Sequence, residues 1–342
     1  MIKNIRKAVE SSNINFLFGS GLSRPFLDVL NDIEDFLSDS SKTPAEKAEK
    51  KKEYFQKVMV GNLDIVADVP NTNKDEVLDN YKNFYRIINS MLLKRDNTIL
   101  AKQVNIFTTN IDIFSEKALE ETGIEFNDGF HGRFQPIFSL SNFKKSYFKK
   151  SLHYENTSEI PVFNILKLHG SLTWKYTKKP NKVFLDCDLS CVKRVRDTIK
   201  TPDFEKNYKD LIIVNPNKDK FEDTLVKQYY YDLLRIYSNE LEKENCILFV
   251  MGFSFADEHI RDLTARVADS NPTLKIYIFA HSASSSIYDT LKKEAKNRNI
   301  QIVLPPPGKN YDFKTINSEI FEQIIPEPED LPTASLASPT TP

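Results

Sequence analysis

The chain has 342 residues and a formal net charge of −1, with 40% apolar and 28% charged side chains. That balance excludes a globally basic nucleic-acid binder, and no apolar run approaches the ~20 residues of a membrane span. Three cysteines, Cys187, Cys191 and Cys246, fit a reducing cytoplasm better than a disulfide framework; the Cys187/Cys191 spacing is a lone C-x-x-x-C without a second pair, so no zinc is expected.

Residues 1–10 carry positive charge with no apolar core behind them and read as a short helix rather than a secretory signal. Strand-like runs follow near residues 14–18, 104–108, 162–168, 211–214, 246–251, 274–279 and 300–304. Runs this apolar predict strands buried on both faces, as in parallel sheets. Helical periodicity predicts helices over 221–243, 257–267 and 284–297, and strand alternating with helix predicts an α/β fold with a Rossmann-like, mostly parallel sheet. Residues 26–101 break the alternation and read as a helical insertion between the first two strands; the charge run 42–57 within it mixes acids with bases and reads as a solvated helix face. Residues 124–160 and 172–210 read as loops and short strands over the sheet. The domain is expected to span 1–325. Residues 326–342 are Pro, Ser, Thr and Ala with little else, a composition that predicts a disordered tail or one docked on a partner.

Four polar clusters each follow an apolar run: Gly19-Ser20-Gly21-Leu22-Ser23, Thr108-Thr109-Asn110-Ile111-Asp112, His169-Gly170-Ser171 and Gly252-Phe253-Ser254. In an open α/β sheet, ligands bind beyond the carboxyl ends of the strands, so these clusters are expected to converge. Gly19 and Gly21 suit either a phosphate-cradling loop or a plain tight turn, with Pro25 opening the next helix. Asp112 suits an N-cap for a helix over 113–121, which leaves Asn110 free to face the crevice. His169 is the sharpest candidate, because an imidazole at a strand end is placed to act as a general base near neutral pH. His131 lies in a glycine-flanked loop that suits either a binding role or plain surface. His259 is expected one turn into a helix opened by Asp257, where a cap and a surface histidine compete with ligand contact. His153 and His281 have no supporting context, and Trp174 reads as core or groove lining.

In this order the clusters resemble the sirtuin superfamily, whose pattern is Gly-Ala-Gly-x-Ser, Thr-Gln-Asn-x-Asp, His-Gly and a late Gly-x-Ser. The stretches Asp128-Gly129-Phe130-His131-Gly132, Lys167-Leu168-His169-Gly170-Ser171 and Gly252-Phe253-Ser254-Phe255-Ala256-Asp257-Glu258-His259-Ile260 resemble bacterial sirtuin-like NAD-consuming effectors of antiphage defence. Two features depart from the protein deacylases of the superfamily. Their paired-cysteine zinc module is missing, with a helical insertion in its place, and Arg24-Pro25-Phe26-Leu27 does not reproduce their Pro-Asp-Phe-Arg segment. The resemblance implies NAD as substrate. It assigns the pyrophosphate to Gly19, Ser20, Gly21 and Ser23, the adenosine side to Gly252, Ser254 and Asn215, and the nicotinamide carboxamide to Asp112. Asn110 is assigned the ribose and a water, and His169 the general base. It further implies an NAD glycohydrolase that releases nicotinamide and ADP-ribose and is gated by homo-oligomer assembly or by a partner such as a HerA-type ATPase. No membrane contact and no sequence-specific nucleic-acid contact are expected. The competing expectations are a non-catalytic NAD or ADP-ribose sensor and, further off, a deacylase.

Overall fold

A computed structural model describes residues 1–29, 33–95, 99–153, 155–177, 182–214, 224–282 and 299–325. The extended segments are β1 (Asn13–Phe18), β2 (Gln103–Thr108), β3 (Phe126–Asn127), β4 (Phe130–His131), β5 (Ile137–Phe138), β6 (Tyr147–Lys150), β7 (Thr157–Ile160), β8 (Val162–Lys167), β9 (Trp174–Thr177), β10 (Lys182–Leu185), β11 (Cys246–Met251), β12 (Lys275–Phe279) and β13 (Ile300–Val303). Seven of them form one sheet in the order β13-β12-β11-β1-β2-β8-β3, and every neighbouring pair is parallel. The α/β Rossmann-like expectation is met. A second sheet, β4-β5-β10-β9, and the β6–β7 hairpin lie outside it.

Alternation along the central strands feeds two cores, one on each face. Phe16, Phe18, Ile106, Ile165 and Phe249 turn to one face, where the helix Thr72–Leu93 supplies Tyr81, Phe84 and Ile88. Leu17, Phe107, Leu166, Leu248 and Val250 turn to the other, against the helices Thr224–Leu241 and Glu258–Ser270. Aromatic rings dominate the first core: Phe16 meets Phe84 edge-on at 5.0 Å and stacks on Phe249 at 5.2 Å. The second core takes in Trp174, which packs against Phe138 at 4.6 Å.

Between β1 and β2 lie the helices Ile33–Ser38, Pro44–Tyr54, Gly61–Val66 and Thr72–Leu93. Thr43 and Glu46 close a reciprocal capping box at the second of these. Within the charge run, Glu53 pairs with Lys50 and Lys57, and Lys52 with Glu49, at helical spacing.

Four asparagines share one register across the sheet, Asn15 on β1, Asn105 on β2, Asn164 on β8 and Asn127 on β3, and the first three are linked side chain to side chain. Asn105 Nδ2 donates to Asn15 Oδ1 at 2.9 Å, and Asn164 Nδ2 donates to Asn105 Oδ1 at 3.0 Å. Asn15 Nδ2 completes the row on Cys246 Sγ at 3.0 Å, and burial pushes that thiol up to about 12.

Two expectations are corrected. Residues 211–214 form no strand of the sheet; they make an isolated antiparallel bridge, Ile213 with Gly170, and wedge between the two cores. Pro25 opens no helix: the glycine loop is a short 3-10 turn, Ser20–Ser23, followed by a cis Arg24–Pro25 peptide. The expected helix at 284–297 and the tail at 326–342 lie outside the described residues.

Candidate functional site

The register of the parallel sheet sets four strand ends level. Phe18 pairs with both Met251 and Thr108, and Thr108 pairs with Lys167. The loops beginning at Gly19, Thr109, Leu168 and Gly252 therefore leave one edge from adjacent strands, each ~4.8 Å from the next. The chain lays β2, β3 and β8 on one side of β1, then returns to the other side with β11. The edge between β1 and β11 is thus a topological switch point, where such sheets bind ligands.

Gly19 and Gly21 answer first to packing. A Cβ on Gly19 would stand 2.4 Å from the Gly252 carbonyl oxygen, and one on Gly21 would stand 2.9 Å from it. The Gly19 amide donates to Met251 O and the Gly21 amide to Gly252 O, both at 3.0 Å. The two loops lie backbone to backbone, and those two amides are already used. Without a helix at Pro25, this loop offers no helix-dipole end to a phosphate. Ser20 is half-buried and Ser23 fully buried.

Ser23 turns inward. Its Oγ donates to Asp112 Oδ2 at 2.7 Å and lies 3.4 Å from the Tyr81 hydroxyl. Asp112 Oδ1 accepts from the Phe114 amide at 3.2 Å, so this carboxylate steadies the start of the helix Phe114–Thr122, although Ile113 occupies the cap position. Asn110 sits in the same knot. Its Nδ2 donates to Gly19 O at 3.1 Å and reaches Ser23 Oγ and Tyr81 OH at 3.4 and 3.5 Å. Its Oδ1 is buried and has no hydrogen-bond partner among the described residues. Burial keeps the Tyr81 phenol protonated far above its ordinary range.

Lys167, the last residue of β8, is buried and donates to the backbone carbonyls of Asp112 and, at 3.4 Å, Asn110. It also pairs with Glu116 Oε1 at 3.1 Å. Glu116 keeps 18% of its side chain exposed, but its Oε2 is buried and has no partner among the described residues. Burial accordingly raises the Glu116 carboxyl despite the lysine.

His169 follows two residues later. Gly170 behind it takes φ +76°, and a Cβ there would stand 2.1 Å from Ile212 O; only glycine lets residues 211–214 lie this close. Val214 N donates to His169 O at 2.8 Å, and Ser171 N to Ile212 O at 3.3 Å. The apolar 211–214 run therefore braces the histidine loop. His169 Nε2 lies 3.1 Å from Asp257 Oδ2, within ion-pair distance but off the line of its N–H, and the Tyr230 ring is 6.1 Å away. Gly252 takes φ +61°, while Ser254 is exposed and accepts a 3.4 Å bond from the Ala256 amide within its own loop. His131 and His259 are exposed. Asn215 lies outside the described residues.

Gly19, Ser23, Asn110 and Asp112 thus meet in direct contact, with His169 on the adjacent strand end and Gly252 behind the glycine loop. Three participants escaped the sequence reading: Tyr81, Lys167 and Asp257. Lys167 and Asp257 stand inside quoted motifs, and a lysine closing an otherwise apolar strand was the available signal. Nothing local marks Tyr81. Chemically, the edge combines an amide oxygen seeking a donor, an imidazole beside a carboxylate, and a backbone cradle. Among the described residues, no group of three His, Cys, Asp or Glu is placed to hold a metal, and no helix is long and apolar enough to cross a membrane.

No curated protein matches the chain. The SIR2-like domain profile matches residues 104–303, more than half of the 342 residues, and it takes in the Asn110, His169 and Gly252 loops. On that match, the chain belongs to the SIR2-like domain family within the sirtuin-like superfamily.

Proposed function

We propose that the protein is an NAD glycohydrolase, cleaving the nicotinamide N-glycosidic bond with water to give nicotinamide, ADP-ribose and a proton. The observation that carries this reading is the Asn110 amide. Its nitrogen is held by Gly19 O, while its oxygen is buried and, among the described residues, unpartnered in the loop next to that of His169. A buried acceptor left unmade costs ~1–3 kcal/mol, so a ribose hydroxyl or a water is a fitting donor for it. Family membership supports NAD as the ligand.

In this reading the C1′–N bond breaks with its electron pair moving to the pyridinium nitrogen, which discharges the cation and makes nicotinamide a good leaving group. The protein then has to hold the ribose, place a water and accept its proton. Asn110 orients, and His169 accepts the proton. Gly19 and Gly21 shape the floor by packing on Gly252. Phosphate contacts fall to Ser20 and to the exposed side of the Ser254 loop. Hydrolysis is favoured over deacylation because three cysteines cannot make two metal-binding pairs.

His169→Ala tests the reading. Nicotinamide release should fall ~10²–10⁴-fold, the worth of a positioned base, while calorimetry still detects NAD binding. Unchanged release in that variant would refute it. For the cell, we propose that assembly into a homo-oligomer or with a HerA-type ATPase gates the activity, which would then serve antiphage defence by NAD depletion. The resemblance in the three quoted stretches supports this, and failure of co-expressed proteins to form a complex that alters nicotinamide release would count against it.

A further inference from the structure

His169 and Asp257 come from loops on opposite sides of β1 and β2, yet their side chains meet: Nε2 stands 3.1 Å from Oδ2. The other carboxylate oxygen of Asp257, Oδ1, accepts the Ile260 amide at 3.3 Å and so caps the helix Glu258–Ser270. The carboxylate is buried and tied to a backbone N–H; it cannot turn from the imidazole without uncapping that helix. Asp257 faces Nε2, and the Tyr230 ring lies 6.1 Å away with the His259 ring 6.5 Å behind it. Lys167, two positions earlier, points its amine to the Asp112 carbonyl instead.

A neutral imidazole carries its proton on one nitrogen, and the partner of that nitrogen decides which one it is. We propose that Asp257 is the positioning residue for His169, an inference that rests on the general-base reading above: the carboxylate keeps the proton on Nε2 and leaves the Nδ1 lone pair to take a proton from water. The contact is off-axis in this structure; contacts of this kind align on substrate binding. The helix cap and the base are thereby set by one side chain.

Asp257→Asn is the informative variant. Asparagine retains an oxygen for the cap, but it can offer an amide N–H to Nε2 and so favours the opposite tautomer. The same change lowers kcat ~10⁴-fold in Ser-His-Asp hydrolases for this reason. Long-range ¹H–¹⁵N correlation spectra of ¹⁵N-histidine-labelled protein read the tautomer directly, with His169→Ala assigning the signal. The wild type should show Nε2–H and Asp257→Asn Nδ1–H, while Asp257→Glu should restore the wild-type pattern. In parallel, kcat for nicotinamide release should fall ~10²–10⁴-fold in Asp257→Asn with KM within about twofold. An identical tautomer in wild type and Asp257→Asn, or Nδ1–H already in the wild type, overturns the proposal. If the asparagine variant does not fold, Asp257→Ser, whose hydroxyl also caps, carries the comparison: loss of the Nε2–H preference supports the role and its retention overturns it. The tautomer is read without NAD, so a wild type that releases no nicotinamide in its assembled form as well as alone defeats the hydrolase reading while the spectra still decide Asp257.

Discussion

Asn110 and His169 stand two residues past the paired strand ends Thr108 and Lys167, and they are held in opposite ways. Asn110 is 6% exposed and is gripped from three segments, through Gly19, Ser23 and Tyr81. The His169 side chain is 14% exposed, with an off-axis carboxylate and an aromatic ring beside it among the described residues. The difference fits the roles proposed above for the two groups. An amide that only orients stays neutral, and burying it in hydrogen bonds costs little. An imidazole that accepts a proton becomes a cation, and full burial would oppose that step. It needs a counter-charge and a path for the proton.

The largest test of this contrast is Lys167→Met. It strips the donor from the Asp112 and Asn110 carbonyls and leaves Glu116 without its cation. Breaking a buried ion pair from one side costs ~3–5 kcal/mol, to be read from the urea midpoint, whereas His169→Ala should cost less than about 1 kcal/mol. Equal losses would erase the distinction between a structural half and a reactive half. Gly19→Ala comes next. Its Cβ would press on Gly252 O, and overpacking of this kind costs ~1–3 kcal/mol; a neutral effect on melting would show that the two loops part easily. The smallest effect is on pH dependence. The Glu116 carboxyl is raised by burial above its ordinary 4.5. Its contribution to stability is therefore complete below that value and lost as pH climbs through the raised one. Glu116→Gln, which keeps an acceptor for Lys167, should flatten this limb of the stability curve; an unchanged limb would assign it to another group.

The parallel strands were legible because β8 and β11 are buried along their whole length, so apolarity alone marks them. The same signal misled at 211–214. Those four side chains are buried because they wedge between two cores, and a short apolar run cannot tell a ladder partner from a wedge. Pro25 misled for a related reason: a proline suited to opening a helix is equally at home in a turn. At the site, the four loops could be read because each motif is contiguous. Their cross-links could not. Tyr81 reaches Asn110 only because a helix from the segment between β1 and β2 packs over the sheet, and Asp257 reaches His169 only because β11 and β8 flank the two strands between them. Such contacts belong to tertiary structure and leave no local pattern.

The asparagine row has a consequence for anyone moving these loops onto another scaffold. It lies three residues behind the strand ends, ~10 Å away at strand rise, and touches none of the reactive side chains named above. Yet a one-residue slide of β2 would swing Asn105 to the opposite face and forfeit both amide links at once. The row works as a vernier, making one alignment of β1, β2 and β8 cheaper than its neighbours. Grafted motifs without it would be correct in sequence and offset in space.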